Sequence, residues 1–264
     1  MKKKSKRWMI IPVLALVLSG CDNGIRSDAN DVAATGGIAF ECGIASRVAL
    51  HNNGTRTLPE SVMPDINDIA LVITSNEDEE FSLHYSTMRR YDKPLLTEGL
   101  YTAHFSCGDI DEEGEEKACF AGQTEFTIVA RTTITEEVTL SLANSVINLT
   151  TSEWFQKYYT DYSLTLRTDS GLERTYTGTS DMPVVDTEAL FVKPAGTISL
   201  SGSAVKTNGI EVEFPETVLC VTRPNTWHEI EVTAGEASEG CIKIQLDDKM
   251  MKIKEKEIEL NPEA

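Results

Sequence analysis

The chain predicts an all-β protein built as two tandem β-sandwich domains. Three observations point there: apolar residues recur with period two from Gly36 onward, the apolar runs are short, and Gly, Asn and Asp turn chemistry separates them. Ile38, Phe40 and Cys42 share one face of the first run, as do Ile69, Leu71 and Ile73, then Phe81, Leu83 and Tyr85. Runs at 100–105, 126–129 and 138–142 complete the first half, with turns at Asn52-Asn53-Gly54, Ser75-Asn76, Glu98-Gly99 and Gly108-Asp109. The second half resumes as a strand at 146–148. Ser152 then stands as the N-cap of a short amphipathic helix through Tyr159. Strands follow at 161–166, 190–192, 198–200, 210–214, 218–221, 230–232 and 242–246, around hairpin turns at 169–171 and 207–209. Residues 250–260 set Ile253, Ile258 and Leu260 against Lys and Glu, which reads as a closing strand with one solvated face. A junction at Ala143-Asn144-Ser145 divides the chain into halves at 36–143 and 144–264.

The segment before these halves has a different grammar. Lys2, Lys3, Lys4, Lys6 and Arg7 precede an apolar run from Trp8 to Leu18, followed by Ser19, Gly20 and Cys21. A charged start, a short apolar stretch and small residues before a cut are the layout of a secretory signal peptide. The run is too short to cross a bilayer at 1.5 Å per residue. With Cys directly after Ser-Gly, Leu18-Ser19-Gly20-Cys21 resembles the lipobox of bacterial lipoproteins. That resemblance implies cleavage between Gly20 and Cys21 and a covalent lipid on Cys21. Residues 21–35 are then the lipidated Cys and a short flexible tether, polar and without apolar periodicity.

The chain carries 24 Lys plus Arg against 42 Asp plus Glu, a net charge of −18. Removing residues 1–20 takes away five cations and no anion, which leaves 19 cations, 42 anions and a net charge of −23. Such a surface repels phosphate backbones and anionic lipid headgroups, so nucleic acid is excluded as a partner class. With Cys21 lipidated, five cysteines remain. Export permits disulfides, and an odd number leaves at least one thiol unpaired or paired between chains. Cys107 with Cys119 and Cys220 with Cys241 are the candidate bridges, each with buried reduced cysteine as the alternative.

Catalytic chemistry has little to stand on. No GxSxG, P-loop, GxGxxG, HExxH or CxxC pattern occurs, and His51, His84, His104 and His228 are dispersed. The chain is therefore expected not to be an enzyme and to carry no cofactor beyond its lipid. One local pattern suggests a metal. Asp109, Asp111 and Glu113, followed by Gly114, match the start of a calcium loop, and weak calcium binding is the reading they support. Phe120 stands where that loop needs a bidentate Glu, so the alternative is a solvated acidic hairpin tip. Trp227 and Trp154 are candidate aromatic platforms for a glycan. Trp154 with Tyr158 and Phe155 with Tyr159 are i, i+4 pairs, so one of these two helix faces is expected in the core.

Several stretches in order carry a wider resemblance. They are Gly36-Gly37-Ile38-Ala39-Phe40, Glu98-Gly99-Leu100-Tyr101-Thr102-Ala103, Phe120-Ala121-Gly122 leading into Phe126-Thr127-Ile128, and Leu140-Ser141-Leu142-Ala143-Asn144. Phe155 with Asp161-Tyr162-Ser163-Leu164-Thr165-Leu166 completes the set. Together with the lipobox they resemble a Bacteroidota-type lipoprotein family of unknown function, akin to the fimbrillin-like proteins. The resemblance implies a lipidated precursor with two β-sandwich domains and lends no catalytic residue. The resulting expectation is a lipid-anchored outer-membrane protein on the cell surface, engaged in adhesion or surface interaction. One alternative is a fimbrial anchor or accessory subunit that joins other fimbrial subunits by strand addition. Residues 250–260 would be its donor and Arg26 or Arg47 its processing site. The other alternative is a glycan-binding lipoprotein beside a nutrient importer.

Overall fold

The computed structural model describes residues 34–50, 54–185, 187–234, 241–246 and 256–259. Gly20, Cys21, Arg26, His51 and most of the tether lie outside the described residues. In chain order the first strands are β1 (Thr35–Ile44), β2 (Arg47–Leu50), β3 (Gly54–Thr57), β4 (Ala70–Ser75), β5 (Ser82–Tyr85), β6 (Leu95–Thr97) and β7 (Gly99–Cys107). Then come β8 (Gly114–Glu115), β9 (Phe120–Ile128), β10 (Thr133–Leu142), β11 (Ser145–Thr151), helix α1 (Glu153–Tyr158), β12 (Tyr159–Thr168) and β13 (Glu173–Thr179). Last are β14 (Leu190–Val192), β15 (Thr197–Lys206), β16 (Glu211–Val221), β17 (Thr226–Ala234), β18 (Cys241–Leu246) and β19 (Lys256–Glu259). Thr35, read above as the end of the tether, is the first residue of β1. It pairs with Thr97, and its carbonyl accepts from Arg131 N at 2.8 Å. The two runs expected at 210–214 and 218–221 are one strand, β16, whose register against β15 shifts once at Leu219 and once across Pro215, which cannot donate to the ladder. Among the described residues, no helix is long and apolar enough to cross a membrane.

The first sandwich is a single sheet folded over, in the order β5-β4-β7-β9-β10-β1-β6. The fold-over happens at β10. Its first residues run parallel to β1 (Gly37↔Thr133 through Ile44↔Leu140), and its last two pair antiparallel with β9 (Ser141↔Ala121, Leu142↔Phe120). Gly122 makes room for the crossing: a Cβ there would stand 3.0 Å from Thr139 O and 3.2 Å from Leu140 Cα. The period-two pattern then delivers the core. Phe40 on β1 meets Phe105 on β7 and Phe126 on β9 edge-on, at centroid distances of 5.1 and 5.6 Å.

The second sandwich sets β13-β12-β15-β16 against a larger sheet in the order β19-β18-β17-β11-β14-β8. Ile147, Leu149, Leu190, Val192, Ile230 and Val232 from the larger sheet face Leu164, Leu166, Ile198 and Leu200 from the smaller one. Phe155 of α1 plugs one end of this core, fully buried against Tyr159 and Tyr162. Ser152 caps the helix as expected, its side chain accepting from Phe155 N at 3.2 Å.

Two strand pieces cross the junction at 143–145. β2 pairs in parallel with the start of β17 (Thr226↔Ala49, Trp227↔Leu50) and carries β3 with it. β8 pairs with β14 (Glu115↔Leu190, Gly114↔Phe191). The core of the first sandwich accordingly includes Val146, Phe191 and Trp227 from the second half. The two sandwiches interlock at a shared, buried joint.

Candidate functional site

The acidic loop is where the joint is tied. Gly108 and Gly114, at φ 86° and 141°, turn the chain out of β7 and into β8. Glu113 then reaches into the second sandwich. Its Oε2 accepts from Thr168 Oγ1 at 2.8 Å and from the Ser170 hydroxyl, and its Oε1 accepts from Lys193 N at 2.9 Å. Asp111 pairs with Lys193 Nζ at 3.1 Å, and Glu115 pairs with Arg174. Asp109 turns back on its own loop, accepting from Asp111 N at 2.8 Å. The three carboxylates expected to share a cation therefore point to three different sets of partners. Among the described residues no group of three or more His, Cys, Asp or Glu could hold a metal ion. The structure does not bring the three calcium candidates together: the loop is a clasp between sandwiches, and Glu113 is its hook.

Asn144 completes the clasp from the other side. It is fully buried; its Nδ2 donates to Lys117 O at 2.7 Å, its Oδ1 accepts from Cys119 N at 3.2 Å, and its carbonyl accepts from Asn225 N at 3.0 Å. One side chain thus serves as the hydrogen-bond partner of the loop's return arm. Each such bond contributes about 1 kcal/mol, and leaving its buried partner unpaired costs about 1–3 kcal/mol.

The candidate bridge between Cys107 and Cys119 does not form, and the register explains it. In the ladder Cys107 opposes Phe120 and not Cys119, which lies just before β9 and is buried. Both are free thiols, as is Cys42. Burial pushes all three thiols up from their ordinary values; Asp68 adds to this at Cys107, and Asp109 and Cys107 add to it at Cys119. Cys220, on β16, lies with its Sγ 3.9 Å from His228 Nδ1. The side chain of Cys241 lies outside the described residues, and so does any bridge to it.

The two tryptophan candidates part company. Trp227 is 3% exposed, its Nε1 donates to Asn148 Oδ1 at 2.9 Å, and Arg56 lies 4.3 Å over its ring. The same guanidinium bonds Glu229 at 3.0 Å. The glycan-platform reading of Trp227 is corrected, because its ring is enclosed by the β2–β3 hairpin and the joint. Trp154 is 41% exposed and Tyr158 37%, whereas Phe155 and Tyr159 are buried. The inward pair of α1 is therefore Phe155 with Tyr159. His84 is exposed and hydrogen-bonds Ser82 Oγ at 2.7 Å, and His104 is exposed on the same sheet.

Fold and joint together define an all-β protein of two interlocked sandwiches whose buried polar groups hold structure. The chain belongs to the family described as Domain of unknown function (DUF4493), whose model matches residues 44–262 and so spans both sandwiches. No curated protein matches the chain in sequence. Solved structures similar to it include a fimbrial assembly protein from Parabacteroides distasonis (6% identity, TM-score 0.41, 81% of this chain and 96% of that one). A candidate cell adhesion protein from Bacteroides ovatus matches at 11% identity and TM-score 0.40, over 81% and 96% of the two chains. The fimbrial anchor protein Mfa2 from Porphyromonas gingivalis matches at 9% identity and TM-score 0.38, over 86% and 100%.

Proposed function

We propose that this protein is a non-enzymatic, lipid-anchored protein of the outer membrane, held at the cell surface for adhesion. The observation that carries the reading is Leu18-Ser19-Gly20-Cys21 behind a basic and apolar leader, followed within fifteen residues by a β body. Two sandwiches clasped at a buried joint suit a protein that must transmit contact without bending. The dispersed histidines and the committed carboxylates of the clasp add no catalytic grouping among the described residues. Anchoring is tested by metabolic labelling with a fatty acid and by protease shaving of intact cells. Label lost in Cys21→Ser and cleavage of the chain from outside are expected. A chain that is never acylated, or that is fully protected from outside, overturns the reading.

Strand addition to other fimbrial subunits is a second reading, and one observation favours it. β1 pairs with β6 only at Thr35, Gly36 and Gly37, so the rest of its length is laddered on one side, by β10. Arg47 follows it on an exposed position. Against this, β19 pairs within its own chain, Cys241↔Glu259 through Ile244↔Lys256. Surface polymers that survive mild SDS and disappear in Arg47→Ala would favour strand addition, and a strictly monomeric mature protein would remove it.

A further inference from the structure

Strand direction sorts the second sandwich into two ends. β11 begins at the joint, where Ser145 Oγ donates to Arg223 O, and runs outward to Thr151. β12 returns to the joint at Thr168, the partner of Glu113, and β15 runs outward again to Lys206. The end remote from the joint is therefore made by α1, the segment after β13 and the turn between β15 and β16. Backbone bonds gather these three pieces: Thr207 N donates to Tyr158 O at 3.0 Å, Ser180 N to Thr160 O at 3.1 Å, and Thr179 N to Met182 O at 3.1 Å. Gly178 lets Tyr162 reach across, and its hydroxyl accepts from Val184 N at 2.8 Å.

At this end apolar side chains meet water, and two of them are aromatic rings on one helix. Trp154 is 41% exposed, Tyr158 37%, Met182 74% and Ile210 54%. A helix carrying two aromatic pairs has buried one pair and presented the other. We infer that this outer end is a binding surface for a neutral glycan, with Trp154 and Tyr158 as its stacking rings. The inference rests on the surface role proposed above and names the ligand class of that role.

Charge selects the class. A chain of net charge −18 repels polyanions. A cationic ligand is repelled locally, because Lys157 Nζ sits 4.1 Å over the Trp154 ring; a sugar stacking on that face must displace the same side chain but meets no like charge. An uncharged ligand meets neither charge barrier. The negative faces of indole and phenol attract the polarised C–H groups on the flat side of a pyranose. Glu153 and Lys157, both exposed beside the rings, offer an acceptor and a donor to its hydroxyl rim. Size argues the same way. Four apolar side chains fall well short of the roughly 20–30 residues that each side of a stable protein–protein interface occupies.

The test is affinity electrophoresis of the full chain, purified in detergent, through gels holding mannan, xylan, a neutral β-glucan or dextran, with alginate as the anionic probe. Retardation by at least one neutral polysaccharide and none by alginate is expected. Trp154→Ala and Tyr158→Ala should each weaken it about tenfold or more, a loss of about 1.4 kcal/mol, with thermal melting shifted by no more than a few degrees. Lack of retardation by every neutral probe overturns the inference, as does retardation equal in both variants. Self-association abolished by Trp154→Ala would give the rings to a second copy and overturn it too. Acylation and shaving do not depend on these rings, so failure here leaves the anchoring result standing by itself.

Discussion

The joint and the outer end of the second sandwich treat their side chains in opposite ways. At the joint, groups that prefer water are drawn into the protein: Asn144 is fully enclosed, and the half-buried Glu113 is engaged by three donors from the other sandwich. At the outer end, groups that avoid water are exposed, with Trp154 and Tyr158 open beside the buried Phe155 and Tyr159. Burying a polar group is costly unless it is bonded; both side-chain polar atoms of Asn144 meet that condition, while Asn225 Oδ1 is buried with no partner among the described residues. Exposing an indole adds nothing to the fold. The first pattern belongs to structure, and the second is free to serve contact. Stability measurements should therefore separate the two regions sharply.

The largest effect is expected at Trp227. Trp227→Ala removes a buried ring that packs with Val146, Phe191 and the first sandwich's core, and it removes the hydrogen bond that Asn148 Oδ1 accepts from the indole. A loss of about 3–5 kcal/mol follows, read as a fall in the urea midpoint. Asn144→Ala comes next, at about 2–4 kcal/mol, because Lys117 O and Cys119 N lose their buried partner together. An Asn144→Ala protein as stable as the parent would mean that water enters the joint freely, and the contrast with the outer end would fail.

Glu113→Ala is expected to cost less in global stability, about 1–3 kcal/mol, since part of the hook is exposed to water. Its sharper readout is local. Cys119 is 5% exposed, and burial pushes its thiol up, so alkylation should be slow until the joint opens. Loosening the hook should speed alkylation at Cys119, located by mass spectrometry, while Cys42 in the first sandwich keeps its rate. Equal acceleration at both thiols would show global unfolding and deny the hook a separate role.

The all-β class and the alternation at Ile38, Ile69 to Ile73 and 100–105 could be read directly, because a half-buried strand writes its inner face into every second residue. The joint could not. Gly114-Glu115 is too short to show any period, and β2 looks like one arm of an ordinary hairpin, so nothing local says that they pair with β14 and β17. Trp227 illustrates the same gap: an aromatic residue near a turn reads equally as platform or core until β2 and β3 are folded over it. The acidic loop misled for a related reason. Alternating carboxylates suit a cation, but they suit Lys193, Arg174 and two hydroxyls just as well, and those partners lie 55 to 82 residues away. Trp154 and Phe155 were resolved only to a pair of faces, since i, i+4 spacing shows which residues share a face and not which face is covered.

The smallest effect is expected where exposure is greatest. Tyr158→Ala should change stability by no more than about 0.5 kcal/mol, the range of surface substitutions away from caps and buried networks. The cation–π contact with Lys157 adds about 0.5–1 kcal/mol at an exposed site, so Trp154→Ala is expected to exceed that range, at about 1 kcal/mol, while Tyr158→Ala stays within it. The matched control is Phe155→Ala, one residue along the same helix, which opens the core against Tyr159, Tyr162 and Phe214 and should cost about 3–5 kcal/mol. Adjacent aromatics differing several-fold in thermal and urea stability would show that α1 keeps its outward rings for something other than folding. If Trp154→Ala cost as much as Phe155→Ala, the outer rings would be structural, and the division of labour between joint and outer end would collapse.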